Sequence, residues 1–433
     1  MTLYDDTLSL LRTLIRNACV NDLTPDSGEE YRNADTLAEF FEGVDVQVQR
    51  FEPHPGRVSI AFTVPGTDPD AEPLTMLGHT DVVPVDRDKW TVDPFGAEII
   101  DGKLYGRGSV DMLFITATMA AVTREVARRG NPRGTITFVG LADEEARGGL
   151  GAKWISEHHP DAFSWENCVS ETGGSHIGPS SIAFNAGEKG AAQRRLIVHG
   201  DAGHGSTPWG KESAVVKIAE VACRIAAIEP PVLSDDIWSG FVNAFRFDDA
   251  TSAALIGGTG DYSRFGDLAA FAQAFSHTTI AQTVLRAGGA INVLPSTAYM
   301  EMDIRPAPGA TDDDIDDLLR SGLGSLADEV TIERLISEPA TVSPTSGFLW
   351  DSIVAVASSI FPSRDVVPVY ATGGSDLRFA RRLGGNAYGF AMHAVGRTLA
   401  SANSQLHSHN EYLHLEDLEL TVRAYSALVE RFV

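Results

Sequence analysis

Residues 74–85 read LTMLGHTDVVPV, an apolar run that ends at His79 and Asp81 and then turns into a proline. Short β-rich runs of the same kind recur at 57–64 (RVSIAFTV), 134–142 (GTITFVGLA) and 167–170 (NCVS). Helical patterns, MLFITATMAAVTREVARRG and GAKWISEHH, separate them. Strands alternating with helices predict βαβ units on a mostly parallel sheet up to about residue 188. Ligands of such sheets bind outside the carboxyl ends of the strands, so the residues that follow each run carry the chemistry.

From Lys189 the pattern changes. QRRLIVHG alternates, SAVVKIAEVACRIAAI is helical, and TVLRAGGAINVLP and TAYMEMDIR alternate again. TDDDIDDLLRSGL is a helix whose acidic first turn suits the positive end of its dipole, and VTIERLI is a last strand. The acidic run lacks the DxDxDG spacing of a calcium loop. After about residue 338 the first style returns, with the helices GFLWDSIVAVASSIF and LEDLELTVRAYSALVERFV. The expected organisation is a discontinuous α/β domain, 1–188 and 338–433, interrupted by an α+β layer over 189–337. The connection 229–282 is long, and its IGGTGDYSRFG lacks the strand–GxGxxG–helix context of a dinucleotide site.

A chain of 433 residues with 43% hydrophobic content can build sizeable cores. Its 59 acidic and 34 basic residues give a formal charge of −25, which argues against nucleic acid or an anionic membrane surface as partner. The 3 cysteines, Cys19, Cys168 and Cys223, form no CxxC and suggest neither a disulfide framework nor a thiolate zinc site. With an amphipathic rather than signal-like N-terminus and no spanning apolar run, the expected location is the cytoplasm.

Each strand end delivers a metal-type ligand. His79 and Asp81 share one side of an extended chain, Asp111 follows KLYGRGSV, Glu144 and Glu145 follow the 134–142 run, and Glu171 follows NCVS. Singly, Asp111 is a helix cap and Glu144–Glu145 a solvated pair. Together, several carboxylates and a histidine in one crevice repel unless a cation is present, and this donor mixture suits zinc or a similar divalent ion. Asp81 is then expected to accept the other ring N–H of His79. His407 or His409 in LHSHNEY offers a further ligand.

GHTDVVPV, Trp90 with DPF at 93–95, YGRGSVDM, DEEARGGLGA, GHGSTP, GGAINVLP, MDIRP, GGSDLRF and HSHNEY, in this order, resemble the successive blocks of a family of dizinc metallopeptidases. That family comprises aminoacylase, succinyl-diaminopimelate desuccinylase, acetylornithine deacetylase and carboxypeptidases. The resemblance implies a zinc-exopeptidase-like catalytic domain of mostly parallel mixed sheet flanked by helices, with an inserted ferredoxin-like lid that mediates homodimerisation. It also implies two divalent ions, zinc first and cobalt or manganese as alternatives. His79 and Glu171 match ligands of one ion, Glu145 and His407 of the other, and Asp111 the bridge between them. The H-x-x-N-E pattern selects His407 over His409. Glu144 matches the catalytic base and Asp81 the partner of His79. His204 resembles a histidine that reaches the neighbouring subunit's site. Asn292, Arg305, Gly374 and Ser375 resemble substrate-contacting positions, with a surface salt bridge the bland alternative for Arg305 on its own. Leu113 replaces a common lysine, and Gly205 a frequent alanine. His158, His159 and His393 have no motif support and read as ordinary loop or surface residues.

The implied activity is hydrolysis of an amide that releases an amino acid, as in a dipeptidase or carboxypeptidase. An N-acyl-amino-acid amidohydrolase is the alternative, and a non-catalytic binding protein is the reading from another class. Small peptides or N-acyl amino acids would be the substrates.

Overall fold

A computed structural model describes residues 2–433. Six strands form the main sheet in the order Gln47–His54, Arg57–Val64, Ile136–Leu141, Leu74–His79, Asn167–Ser170, Asn386–Gly389. The last four run parallel, and Arg57–Val64 pairs antiparallel with its neighbours on both sides. All residues of Leu74–His79 are buried because both faces are covered. Met76 and Phe138 face a large core under the helices Leu3–Arg16, Leu113–Arg129 and Leu415–Val429. The next residues, Leu77 and Val139, face an opposite core with Ile155, Trp165 and Phe379. Gly78 is required where the long helix crosses the strand, since a Cβ there would lie 2.7 Å from Thr116 Oγ1. The same hydroxyl donates to the His79 carbonyl at 2.8 Å, locking the strand end to the helix.

Two strands absent from the sequence expectations, Ser181–Glu188 and Asp365–Ala371, pair in parallel beside the main sheet. Ser181–Glu188 then leads directly into the inserted layer. There the strands run in the order Thr279–Ala287, Thr297–Arg305, Arg194–His199, Val330–Arg334, all antiparallel. The helices Ala214–Ala226 and Asp312–Leu323 complete a β-α-β-β-α-β connectivity with its own core, which includes Leu196, Ile218, Met300 and Leu319. Ala298, Met300, Met302 and Ile304 are the buried alternates of their strand, as period-two patterning requires. The acidic run is a helix start: Thr311 and Asp314 form a capping box, and Asp312 and Asp316 grip the buried Arg194.

The 189–337 span, expected as one inserted layer, is divided by its packing. Helices Asp236–Asn243, Asp249–Ile256 and Ala269–Ser276 lie within it in sequence. Their Trp238, Phe241, Leu255 and Phe275 nevertheless join the main core, and the Phe275 ring stands edge-on to Tyr370 at 5.4 Å. Lys189 ties this excursion to the crossover by donating to the Ala274 and His277 carbonyls at 2.9 and 2.8 Å. Burial lowers its ammonium pKa to about 7. The two crossovers run side by side, with Ala191 and Glu338 bridged.

Candidate metal centre

Four of the chemistry-bearing residues leave three neighbouring strands of the main sheet. His79 closes Leu74–His79, Glu144 and Glu145 follow Ile136–Leu141, and Glu171 follows Asn167–Ser170. Asp111 arrives differently from the expectation. The strand before it, Lys103–Tyr105, belongs to a small antiparallel sheet with Glu98–Ile100 and Tyr412–His414. Its loop is drawn in by Glu411, a fully buried carboxylate that accepts the backbone N–H of Val110 at 2.7 Å and of Asp111 at 3.2 Å, and an N–H of Arg107 at 2.7 Å. Burial pushes the Glu411 carboxyl up to about 7.

Asp111 stands between two donor groups, His79–Asp111–Glu171 and Asp111–Glu145–His407, each with ligand atoms within 4.8 Å of one another. His79 Nε2 lies 3.3 Å from Asp111 Oδ1, and His407 Nε2 lies 3.2 Å from both Asp111 Oδ2 and Glu145 Oε2. His407 adopts φ 57°, a left-handed conformation that aims its ring inward, whereas His409 joins neither group. Burial raises the Glu171 carboxyl well above its ordinary range, and Asp111 adds to the shift. Hydrogen bonds to Asp111 and Glu145 raise His407 to about 10. Burial opposes protonation of His79, yet the Asp111 hydrogen bond and the charges of Glu144, Asp81 and Glu171 lift its pKa well above normal. Hard oxygen and imidazole donors pressed together in this way fit a pair of divalent cations sharing Asp111.

Glu144 belongs to neither group. Burial and the neighbouring Glu171 raise its carboxyl well above the ordinary range. The turn that presents it is strained, with Asp143 at φ 69° and Arg147 at φ 76°, positions that cost on the order of 1–3 kcal/mol each. Asp81 holds that turn rather than His79. Its carboxylate accepts the N–H of Glu144 and Glu145 at 3.2 and 3.1 Å and an N–H of Asn21 at 2.9 Å. His79 Nδ1 is nearest the Asp81 carbonyl, at 3.0 Å, with the carboxylate at 3.6 Å. The expected link between the two residues therefore runs mainly through the backbone. Below lies an ionic network that the sequence did not reveal. Buried Arg57 pairs with Glu30 and Asp143 at 2.8 and 2.5 Å, and Asp143 receives the Leu150 N–H at 2.8 Å.

The remaining candidates divide: Arg305, Gly374 and Ser375 line the cavity beside the cluster, and His204 and Asn292 do not. Arg305 lines the cavity beside the cluster and pairs with Asp303 at 3.1 Å, so its salt-bridge and cavity readings both apply. The Ser375 hydroxyl donates to buried Glu188 at 2.6 Å, and a Cβ at Gly374 would collide with Arg378. That loop is therefore built around the Glu188 brace and the Arg378 guanidinium. His204 and Asn292 are exposed neighbours on the inserted layer: His204 pairs with Val293, and the Gly205 N–H donates to the Asn292 carbonyl at 2.8 Å. Neither is among the cavity-lining residues. Gly205 has a local reason, since a Cβ there would sit 3.2 Å from the Asn292 backbone. Leu113 is buried in the main core, where an apolar side chain fits. His158 stacks on Trp154 at 4.9 Å and His159 lies tilted against it at 5.0 Å, neither lining the cavity.

The sequence matches the profile described as Peptidase family M20/M25/M40 over residues 75–431. The chain belongs to this family. Among curated M20 relatives, it is 27% identical over 389 residues to the N-fatty-acyl-amino acid synthase/hydrolase of Xenopus tropicalis, covering 87% of this chain and 75% of that protein. It is also 27% identical over 402 residues to a probable carboxypeptidase S-like protein of Dictyostelium discoideum, covering 86% and 72%. The fold superposes on an M20 family metallo-carboxypeptidase from Sulfolobus solfataricus with a TM-score of 0.72 at 15% identity, covering 99% of each chain. At that identity the last likeness speaks to the M20 fold.

Proposed function

We propose that the chain hydrolyses the amide bond joining a free amino acid to the residue or acyl group on its amino side, as a dipeptidase or carboxypeptidase does. The observation that carries this reading is Asp111 shared by two ligand groups with Glu144 beside both and engaged by neither. His79, Asp111 and Glu171 would hold one divalent ion, and Asp111, Glu145 and His407 the other, with zinc as the physiological metal. When bound, such ions acidify water toward a pKa of about 7 and polarise a carbonyl oxygen.

Glu144 takes the proton that the attacking water gives up. As the C–O bond forms and the C–N bond breaks, it passes that proton to the amine nitrogen, leaving a carboxylate and a free amino acid. Asp81 keeps Glu144 in reach by fixing its backbone N–H. Arg305 presents a planar fork suited to the carboxylate of the departing amino acid, exchanging Asp303 for it. The Gly374–Ser375 turn shapes the same pocket. His204 and Asn292 approach the site when the inserted layer closes or when a second copy docks through it, and His204 then donates to the developing oxyanion.

A second reading, hydrolysis of N-acyl amino acids, is supported by the walls of the 560 Å³ cavity, where Phe114, Ile115, Val369 and Leu399 offer apolar surface to an acyl group. It also draws on the activity named for the Xenopus relative. A non-catalytic role has no support, because every position of the ligand set and the base is filled. No helix among the described residues is long and apolar enough to cross a membrane, and with unpaired cysteines we assign the chain to the cytoplasm. The test is hydrolysis of panels of dipeptides and N-acyl amino acids by zinc-loaded protein, with Glu144→Ala as control. Activity on either panel that vanishes in the control supports the reading, and activity that survives the substitution refutes it.

A further inference from the structure

His393 lacks any motif, yet it is 7% exposed, lines the cavity and is held by a carboxylate. Its Nδ1 lies 3.3 Å from Asp417 Oδ2, and the other Asp417 oxygen accepts the Ala394 N–H at 2.9 Å. Arg397 Nε stands 3.7 Å from the same carboxylate. The His393 carbonyl is bonded to His176 Nε2 at 3.0 Å, and its N–H donates to the Gly174 carbonyl at 3.2 Å. Backbone and Nδ1 are thus fixed from three elements. Nδ1 is engaged by Asp417, Nε2 has no hydrogen-bond partner among the described residues, and the residue borders the cavity.

The strand Ser181–Glu188 gives the cavity its long axis. Its alternate residues Ala183, Asn185 and Gly187 all line it. At one end Glu188 and Lys189 meet Arg305. At the other, Ala183 pairs with Ser175, and Ala391, His393 and Leu399 gather beside Phe114, whose ring is 6.2 Å from the imidazole. The six residue-to-residue steps from Ala183 to Lys189 span roughly 20 Å of extended chain. Glu171 sits between the ends, since Thr172 contacts Asn185. The metal cluster therefore divides an Arg305 end from a largely apolar recess with an oriented imidazole in its wall.

We infer that the His393 end binds the acyl side of the substrate and selects groups that are apolar along their length and carry a hydrogen-bond donor, a hydroxyl, near the tip. With Nδ1–H given to Asp417, Nε2 presents a lone pair to that hydroxyl. His393 is a specificity-determining residue, and Asp417 is a positioning residue that fixes its tautomer. This deepens the proposed function and rests on that reading only for which end of the substrate enters.

The probes are N-acyl leucines whose straight acyl chains run from butanoyl to decanoyl, each with and without a terminal hydroxyl, and acetyl-leucine as a short control. Zinc-loaded wild-type protein is expected to favour the hydroxylated member of the best-fitting pair by about three- to ten-fold in kcat/KM, the range of one net hydrogen bond. His393→Leu should abolish or invert that preference, His393→Gln should keep part of it, and acetyl-leucine turnover should stay within about two-fold in both. Equal loss on all substrates, or a preference that survives His393→Leu, overturns the inference. Calorimetric binding of the free hydroxy acids and their alkanoic counterparts provides a readout independent of turnover. A hydroxyl preference lost in His393→Leu, in a protein that hydrolyses no amide, would sink the proposed function and leave this inference standing. Hydrolysis and binding that show no preference in wild type would do the reverse.

Discussion

The candidate metal-ligand cluster and the tip of the inserted layer carry residues from one ordered set of motifs but hold them in opposite ways. Around Asp111 each side chain is fixed from below: Glu411 holds the Asp111 loop, Asp81 holds Glu144 and Glu145, and Arg57 holds Asp143. At the tip, His204 is exposed and its ring hydrogen-bonds Ser206 at 2.7 Å. The first arrangement suits groups that must tolerate concentrated charge without moving. The second suits groups that must travel to meet a substrate or a neighbouring subunit. On the proposed function, the chemistry of the main body is preorganised, and any recognition by His204 would require motion of the insert or assembly with a second copy.

The sharpest way to break this contrast is at the base. Glu144→Ala should lower kcat by about 10²–10⁴-fold with metal content unchanged, as read by steady-state kinetics and elemental analysis of the same sample. A fall in bound metal would move Glu144 into the ligand set. Next, Arg57→Ala leaves Glu30 and Asp143 buried without their cation and should cost about 3–5 kcal/mol of stability in denaturant titration. Little change would mean that the turn is held by its backbone alone. His204→Ala should reduce kcat by about 10²-fold while metal content and melting temperature stay constant, and parallel loss of metal would place His204 in the rigid region instead. The smallest effect is expected for Gly205→Ala. The added methyl presses on the Asn292 backbone, which should raise KM a few-fold and cost about 1 kcal/mol, checked by kinetics and thermal melts. An unchanged KM would uncouple Asn292 from substrate.

The candidate ligand groups were legible because His79, Glu145 and Glu171 follow recognisable strands and His407 sits in an H-x-x-N-E pattern. Glu145, Glu171 and His79 leave strands of one sheet, whereas the route of Asp111 and the bond expected between His79 and the Asp81 carboxylate were misread. The supporting network was hidden for a physical reason: Arg57 meets Glu30 and Asp143 across 27 and 86 residues, separations that no local pattern encodes. His393 and Asp417 are 24 residues apart and equally silent. The strands Ser181–Glu188 and Asp365–Ala371 escaped because Asn185, Gly187 and Pro368 break their apolar rhythm, and Asn185 and Gly187 are among the residues that face the cavity. The excursion at 236–276 is made of helices of eight residues each, too short for a strong periodic signal, though Asp235 and Asp248 cap two of them.

That excursion bears on any attempt to dissect the chain. Cutting out 189–337 and rejoining the ends, the natural design for a minimal catalytic unit, would also strip Trp238, Phe241 and Phe275 from the far side of Asp365–Ala371. The shortened protein would present a bare aromatic-binding strand to solvent and would be prone to self-association. A usable excision has to be stitched around residues 236–276, retaining them as a loop of the main body and removing sequence on either side.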